Sequence, residues 1–330
     1  MPPIDTARVM REATGLAHQR LPRLKMPLGS VIERLRQARP TVSTVVNGGP
    51  APVADGAQFL TCSFTCAAGT RAYKLYVPKV GAEKPALIVM LHGCTQNPDD
   101  FARGTRMNTL AEEFGFLVAY PHQTAATNPQ CCWNWFQPGD QARGAGEPAI
   151  IAGITRAVAA EFGVDAGRIF VAGLSAGGAM AAVVGDAYPD VYAAVGVHSG
   201  LPVGCATDVV SAFAAMRGEH AIKGRVVSGA NSPRIIVFHG GADRTVHPSN
   251  ADRIVANYGG AQFARACRLG EGGGRAYACT TLQGRTGETH VELWLIADSG
   301  HAWSGGDPTG SFADASGPDA SREMVRFFLA

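Results

Sequence analysis

The sequence predicts an α/β fold in which a mostly parallel central sheet carries helices on both faces. Segments with strand character alternate with helical segments through most of the chain. Several strand candidates are continuously apolar, as expected for strands buried on both faces. A length of 330 residues with 46% apolar residues is sufficient for one large core.

The elements follow one another in a regular order along the chain. Strands are predicted at Gln58–Thr65, Arg71–Val77, Ala86–His92, Phe116–Tyr120, Arg168–Gly173, Tyr192–His198, Arg234–His239 and His290–Ala297. Helices are predicted at Thr105–Phe114, Pro148–Phe162, Ala176–Ala187, Ser211–Met216 and Asp319–Leu329. The first two strands are close in sequence and favour an antiparallel hairpin.

The first 57 residues differ in composition from the rest. Residues 1–40 contain eight Arg or Lys and three acidic residues, and Val31, Ile32 and Leu35 recur at helical spacing. We therefore expect a basic helical extension over residues 1–40. Residues 41–57, rich in Gly, Pro, Ala and Val, are expected to form a linker to a domain that spans residues 58–330.

Composition argues against several classes of protein. A net charge of +2 gives no reason to expect nucleic-acid binding. No apolar run approaches the ~18 residues of a membrane span, so no transmembrane segment is expected. The glycine-rich loops lack a phosphate-binding pattern and the cysteines lack zinc-site spacing, so neither a cofactor nor a metal is predicted.

Eight cysteines favour disulfide bonds, and with them an extracellular or periplasmic location. The first residues, MPPIDTARVM, lack the apolar core of a secretory signal, which keeps the cytoplasm as an alternative. Cys267 and Cys279 flank a glycine-rich turn and are the expected local pair. Free buried thiols are the alternative.

A GLSAG motif at residues 173–177 separates the predicted strand Arg168–Gly173 from the helix that begins at Ala176. This context is typical of a nucleophile elbow, in which a sharp turn pushes the Oγ of the serine, here Ser175, clear of the sheet. Side chains at either glycine would collide with a neighbouring helix or strand. The N–H of Ala176, at the positive end of the helix, is placed to stabilise an oxyanion. An ordinary glycine-rich turn is the alternative.

A nucleophilic serine requires a base, and the base requires an acid that orients it. In this arrangement the residues follow in the order Ser, Asp or Glu, His, on loops after late strands. Asp243 and His301 each follow a late predicted strand and are the expected acid and base. Asp298 and Asp252 are the rival acids.

Further candidates lie on neighbouring loops. The N–H of Cys94, after the strand Ala86–His92, is the expected second oxyanion donor. Trp133, Trp135 and Trp303 lie on loops at the same predicted edge and are expected to line a substrate cleft. Packing of these loops against the core is the alternative for the three tryptophans.

Six stretches, which extend in order over most of residues 58–330, are similar to a known family. They are LHGCTQNPDDFA (91–102), CCWNWF (131–136), GLSAGGAMA (173–181), FHGGADRTVHPSNA (238–251), GHAWSGG (300–306) and GPDASREMVRFF (317–328). Together they resemble the polyhydroxybutyrate depolymerase-like esterases of the α/β-hydrolase superfamily. By matched position the resemblance implies Ser175 as nucleophile, Asp243 as acid and His301 as base, with the loop of Cys94 at the oxyanion hole.

The resemblance implies a serine esterase that forms an acyl-enzyme on poly- or oligo-hydroxyalkanoates or related short-chain esters. A feruloyl or acetyl-xylan esterase on the same scaffold is the first alternative. A non-catalytic hydrolase-fold protein that binds a granule or membrane surface through the basic segment 1–40 is the second.

Overall fold

Ten strands form one continuous sheet in the part of the chain that the structure describes. The computed structural model describes residues 50–219, 232–258, 263–285 and 287–330. The strands are β1 (Gln58–Cys66), β2 (Gly69–Val77), β3 (Leu87–Leu91), β4 (Leu117–Pro121), β5 (Ile169–Leu174), β6 (Ala194–His198), β7 (Arg234–Gly240), β8 (Ala264–Gly272), β9 (Arg275–Gln283) and β10 (Thr289–Ile296). Across the sheet their order is β1-β2-β4-β3-β5-β6-β7-β10-β9-β8, and the six from β4 to β10 run parallel. The predicted mostly parallel sheet is confirmed.

Helices pack on both faces of this sheet. They are α1 (Pro98–Thr105), α2 (Met107–Phe114), α3 (Gly146–Phe162), α4 (Ala176–Ala187), α5 (Val209–Met216), α6 (Ser249–Tyr258) and α7 (Ala320–Leu329). Successive residues of β3 point to opposite faces, so Val89 joins a core beneath α3 to α6, whereas Ile88 joins a core beneath α1, α2 and α7. A small separate sheet pairs β11 (Trp303–Ser304) with β12 (Ala313–Asp314) in parallel.

The structure describes the chain from residue 50 onward. The expected helical extension, residues 1–40, and the expected linker up to residue 49 lie outside the described residues. Residues 50–57 contain neither helix nor strand and lead directly into β1. The hairpin predicted next is present, because β1 and β2 pair antiparallel from Gln58 opposite Val77 to Cys66 opposite Gly69. None of the described helices is both long enough and apolar enough to cross a lipid bilayer.

The predicted helix Thr105–Phe114 is α2, and a helix that was not predicted, α1, lies directly before it. Arg106 separates the two helices and takes a left-handed conformation with φ 54°. The additional helix α1 begins where the Asn97 side chain accepts a hydrogen bond from the N–H of Asp100, with Pro98 at its first position. These helix-start signals are present in the sequence, but α1 is too short for apolar periodicity to indicate a helix.

The predicted disulfide between Cys267, on β8 at the second edge of the sheet, and Cys279, on β9, is wrong. Strand β8 is largely exposed and therefore lacks the apolar pattern by which a strand is recognised in sequence. Its antiparallel register with β9 places Cys267 opposite Thr280, one position away from Cys279. Side chains one position apart lie on opposite faces of a sheet, so the Cys267 thiol is exposed, the Cys279 thiol is buried, and both are free.

The GLSAG turn depends on close backbone packing between α4 and the end of β3. A β-carbon at Gly177 would overlap the carbonyl oxygens of Leu91 and His92, and one at Gly173 would overlap the backbone of Gly177. The predicted collisions at both glycines are confirmed. Only glycine allows the helix to begin this close to the strand.

We expect Gly177→Ala to lower the free energy of unfolding by about 3 kcal/mol, because backbone must move to accommodate the methyl group. Urea denaturation followed by circular dichroism measures the change. Gly167→Ala, just before β5, is the matched control, since its nearest neighbouring atom would be 3.5 Å from the new β-carbon. Equal stability of both variants would contradict the packing argument.

Candidate active site

Ser175 occupies a strained turn between β5 and α4. Its backbone angles, φ 58° and ψ −121°, lie in a region that residues with a side chain rarely adopt. The N–H of Ser175 donates to the carbonyl of His198 at 2.9 Å, which ties the turn to the end of β6. The serine is nearly buried, and it lines a cavity of about 450 Å³ at the carboxyl ends of the parallel strands.

Asp243 and His301 meet beside this cavity. They follow β7 and β10, which are parallel neighbours, so the loops after both strands lie at one edge of the sheet. Nδ1 of His301 donates to Oδ2 of Asp243 at 2.7 Å. The other carboxylate oxygen, Oδ1, accepts hydrogen bonds from the N–H groups of Thr245 and Val246, both at 2.9 Å. These two bonds fix the carboxylate so that Oδ2 faces the imidazole.

The environment of Asp243 favours the ionised carboxylate. Burial acts to raise the pKa of Asp243, but the hydrogen bond and charge of His301 and the N–H of Val246 outweigh it, and the pKa lies below its ordinary value. Nε2 of His239 also lies near this carboxylate, 3.6 Å from Oδ2. An aspartate held in this way can orient an imidazole and stabilise its protonated form.

The rival acids have other surroundings. Asp252 lies on α6, the expected helical position for this residue. Asp298 takes a left-handed conformation with φ 55°, and its carbonyl accepts a hydrogen bond from Arg275. Within the described ranges, the carboxylate that hydrogen-bonds His301 is that of Asp243.

The two expected oxyanion donors line the same cavity as Ser175 and His301. Ala176 is the first residue of α4, where the backbone N–H has no partner within the helix. Cys94 lies on the loop after β3, and a disulfide joins it to Cys132 on the loop that carries Trp135. The N–H of Thr95 also donates to the carbonyl of Gln130 at 2.7 Å, so two links hold these loops together.

The cavity wall is mostly apolar, and much of it comes from α5, a helix that no sequence motif marked as part of the site. Its apolar side chains are those of Trp135, Phe136, Leu174, Leu201, Val209, Ala212, Phe213, Met216, Val246 and Phe312. Four of these belong to α5, which begins at Val209. The sequence signal was a mainly apolar segment, VVSAFAAM, interrupted only by Ser211, but such a segment does not distinguish a core helix from a cavity wall.

The prediction that three tryptophans line the cleft is wrong for two of them. Trp135 lines the cavity, whereas Trp133 and Trp303 are fully buried and do not. The indole N–H of Trp133 donates to the carbonyl of His92 at 3.1 Å. That of Trp303 donates to Oγ of Ser321 at 3.0 Å, while its ring stacks on His198. Both rings are therefore part of the buried packing beneath the loops around the cavity.

A second cavity of about 470 Å³ adjoins the loop of Cys94. Thr95 lines both cavities, but the lining of the second is mainly polar. Its polar side chains are those of Thr61, Tyr73, Lys74, Thr95, Gln96, Asn97, Asp99 and His122. Lys74 and Asp99 form an ion pair at 3.3 Å, so the principal charges of this cleft balance.

No group of three or more His, Cys, Asp or Glu side chains suited to a metal ion occurs among the residues that the structure describes.

A family model described as Esterase PHB depolymerase matches residues 71–281. The chain belongs to this family. The matched region includes Ser175 and Asp243 and ends before His301. Family membership and the described sheet together identify the fold as that of the α/β-hydrolases.

Several characterised proteins are similar to this esterase-family chain. Poly(3-hydroxyalkanoate) depolymerase C of Paucimonas lemoignei is 35% identical over 184 residues, 53% of this chain and 44% of that protein. Feruloyl esterase B of Neurospora crassa is 33% identical over 189 residues, 52% of this chain and 64% of that protein. The chain thus spans about half the length of these relatives. The acetyl xylan esterase structure from Aspergillus awamori has the same fold, with a TM-score of 0.63 at 19% identity over 83% of this chain and 98% of that one.

We expect Cys132→Ala to lower the free energy of unfolding by about 2–4 kcal/mol, because the Cys94–Cys132 bond closes a loop with a sequence separation of 38. Urea denaturation of the variant and of the wild type, each with and without reductant, measures this. The adjacent free cysteine gives the control: Cys131→Ala should retain the effect of reductant. If Cys131→Ala instead abolished the effect of reductant, Cys131 and not Cys132 would be the partner of Cys94.

Proposed function

We propose that this protein is a serine carboxylic ester hydrolase with Ser175 as nucleophile, His301 as general base and Asp243 as the orienting acid. The observation that carries the proposal is the 2.7 Å hydrogen bond between His301 and a buried, ionised Asp243 at the cavity lined by the strained Ser175. Family membership supports the same chemistry.

The reaction is a two-step acyl transfer. Nε2 of His301 takes the proton of Ser175 Oγ as the oxygen attacks the ester carbonyl, and the carbonyl π electrons move onto its oxygen. As the tetrahedral intermediate collapses, the C–O bond of the alcohol breaks and His301 returns the proton to the departing oxygen. Water then attacks the acyl-enzyme in the same way, which releases the acid and restores Ser175.

The backbone N–H groups of Cys94 and Ala176 are the proposed oxyanion hole. Both residues line the cavity beside Ser175, and the N–H of Ala176 lies at the positive end of α4. One such donor typically contributes about 3 kcal/mol to transition-state stabilisation. Asp243 contributes by favouring the imidazolium that forms on His301.

The apolar cavity favours an acyl group of modest size and low polarity. Its wall of aromatic and aliphatic side chains suits the hydroxyacyl units of poly- or oligo-hydroxyalkanoates and related short-chain esters. The similarity to poly(3-hydroxyalkanoate) depolymerase C supports this substrate class. The Cys94–Cys132 bond supports an extracellular or periplasmic location, because disulfides persist in oxidising compartments.

We expect Ser175→Ala to lower kcat for p-nitrophenyl butyrate by at least about 10⁴-fold, with an unchanged circular dichroism spectrum, because the nucleophile is lost. Ser299→Ala is the matched control. Ser299 is also buried near the base, but its hydroxyl has no hydrogen-bond partner among the described residues, so activity should persist. A fluorophosphonate probe should label the wild type and Ser299→Ala but not Ser175→Ala. Absence of labelling in the wild type would favour a non-catalytic surface-binding protein.

A carbohydrate esterase is the second candidate, and the polar cleft beside Thr95 is the observation that favours it. An ester bound at Ser175 directs its acyl and alcohol portions away from each other. With the acyl group in the apolar cavity, the alcohol can pass Thr95 into the cleft of Lys74 and Asp99. Mixed donors and acceptors with balanced charge suit the hydroxyl groups of a saccharide. The similarity to feruloyl esterase B is consistent with this candidate.

If the alcohol is a saccharide, Lys74→Met should lower kcat/KM for a feruloylated arabinoxylan trisaccharide about tenfold, because a charged hydrogen-bond donor is removed. Activity on methyl ferulate should remain unchanged, since that ester leaves the cleft empty. Lys79→Met, which removes a lysine outside the cleft, controls for net charge. A decrease confined to hydroxybutyrate oligomers would instead assign the cleft to a polyester chain.

A further inference from the structure

We propose that the edge strand β8 binds β8 of a second copy of this chain. The two strands pair antiparallel, centred on Arg268, so that the two ten-stranded sheets become continuous. The inference goes beyond the proposed function, because no residue of β8 lines the cavity of Ser175. The charge pattern of the strand itself identifies the partner.

The outer side of β8 is open. Strand β8 is the last in the sheet, and β9 is its one hydrogen-bonded neighbour in the described part of the chain. Residues 264–269 are exposed in succession, so the described helices leave both faces of this stretch largely uncovered. Such an edge presents unpaired backbone N–H and C=O groups, which are a template for a strand from another molecule.

One face of β8 is complementary to itself when the strand is reversed. Alternate residues of a strand share a face, so one row contains Arg265, Cys267, Leu269 and Glu271. In an antiparallel pair centred on Arg268, Arg265 lies opposite Glu271 of the second copy, and Cys267 lies opposite Leu269. Each pairing occurs twice because of the twofold axis. Opposite charges and apolar side chains directly across from each other stabilise a strand pair.

The side chains of this row are available for a second copy. In the described ranges neither Arg265 nor Glu271 forms a salt bridge. Burial raises the pKa of Asp252 on α6 and the charge of Arg265 opposes that rise, so Arg265 lies on the same face of the sheet as α6. Leu269 is 69% exposed, and pairing removes this apolar surface from water.

The opposite face of β8 leaves the twofold axis free. Arg268 lies at the centre, but its guanidinium group is 4.7 Å from the ring centroid of Trp294 on β10 and donates to the hydroxyl of Tyr277 on β9 at 2.7 Å. Both strands lie on the inner side of β8, so this side chain extends away from the open edge. The other residues on this face are small: Ala264, Ala266, Gly270 and Gly272.

Strand β1, at the other edge of the sheet, lacks this pattern. Its sequence, QFLTCSFTC, contains no charged residue. Phe59 and Phe64 pack against the two cores, one on each face of the sheet. A strand pair at β1 would have no charges to fix its register, so the charge pattern selects β8 as the pairing edge.

The pairing leaves the two active sites independent. A twofold axis perpendicular to the sheet makes the parallel strands of the two copies run in opposite directions. The two Ser175 cavities, at the carboxyl ends of those strands, therefore open at opposite ends of the joined sheet. Dimer formation should leave the hydrolysis of p-nitrophenyl butyrate unchanged, so activity reports whether a variant of β8 is folded.

Sedimentation velocity of the full chain over a range of concentrations tests the pairing. The wild type should show a monomer–dimer equilibrium. Arg265→Glu and Glu271→Arg should each raise the dimer Kd about tenfold, because either change places like charges opposite each other twice. Arg265→Glu combined with Glu271→Arg should restore the wild-type Kd, since both partners are reversed. Arg265→Glu combined with Glu83→Arg, at an exposed position before β3, has the same net charge and should remain weak.

Cysteine cross-linking tests the register. Directly opposite Cα atoms of an antiparallel pair are about 4.5–5.5 Å apart, within the range of a disulfide. Leu269→Cys should therefore give a disulfide-linked dimer on mild oxidation, and adding Cys267→Ala should abolish that dimer. In the wild type the two exposed Cys267 thiols are diagonal neighbours, and little covalent dimer should form.

Several outcomes would overturn the proposal. A monomer at every concentration, or a dimer whose Kd does not respond to the two charge reversals, would exclude pairing through β8. A dimer lost only in Val210→Asp would assign the contact to the exposed side of α5, where Val210 is 79% exposed. Efficient oxidation of the wild type through Cys267 would centre the pair on Cys267 and reject the register about Arg268.

Discussion

The close approach of α4 to the end of β3 is the constraint on which the rest of the site depends. Gly173 and Gly177 allow backbone to meet backbone, and the chain can make this contact only by passing through the strained conformation of Ser175. The strain is supported by the surrounding sheet, since β5 lies between β3 and β6 and the Ser175 N–H is bonded to the end of β6. The same contact brings Ala176 beside the loop of Cys94.

Buried histidines form much of the support around this turn. His92, His198 and His239 are all inaccessible, and burial lowers the pKa of each ring. Each neutral ring bonds a backbone group: His92 holds Gly93, His198 accepts from Ser304 at 3.0 Å, and His239 donates to Val246 at 2.9 Å. Neutral rings connect the loops after different strands without placing further charge beside Asp243.

The sequence was sufficient for the parts of the molecule that are encoded locally. Apolar runs located the parallel strands, and the residues GLSAG between a strand and a helix located the Ser175 turn. By contrast, the exposed strand β8 has no apolar face to recognise, and the break at Arg106 depends on a single left-handed residue. Trp133 and Trp303 were expected to face substrate, because an aromatic residue on a loop has the same sequence signature whether it faces a cavity or supports a loop.

What the sequence determined by itself was the order of the elements, the turn that carries Ser175, and the chain order of serine, aspartate and histidine. Those features follow from propensity, glycine content and strand order, which are local or topological. Only the tertiary structure decided that Cys94 pairs with Cys132, that α5 forms much of the cavity wall, and that the N–H of Gln123 donates to His92. Each of these joins segments far apart in the chain, and their contact is fixed by packing geometry that no local pattern records.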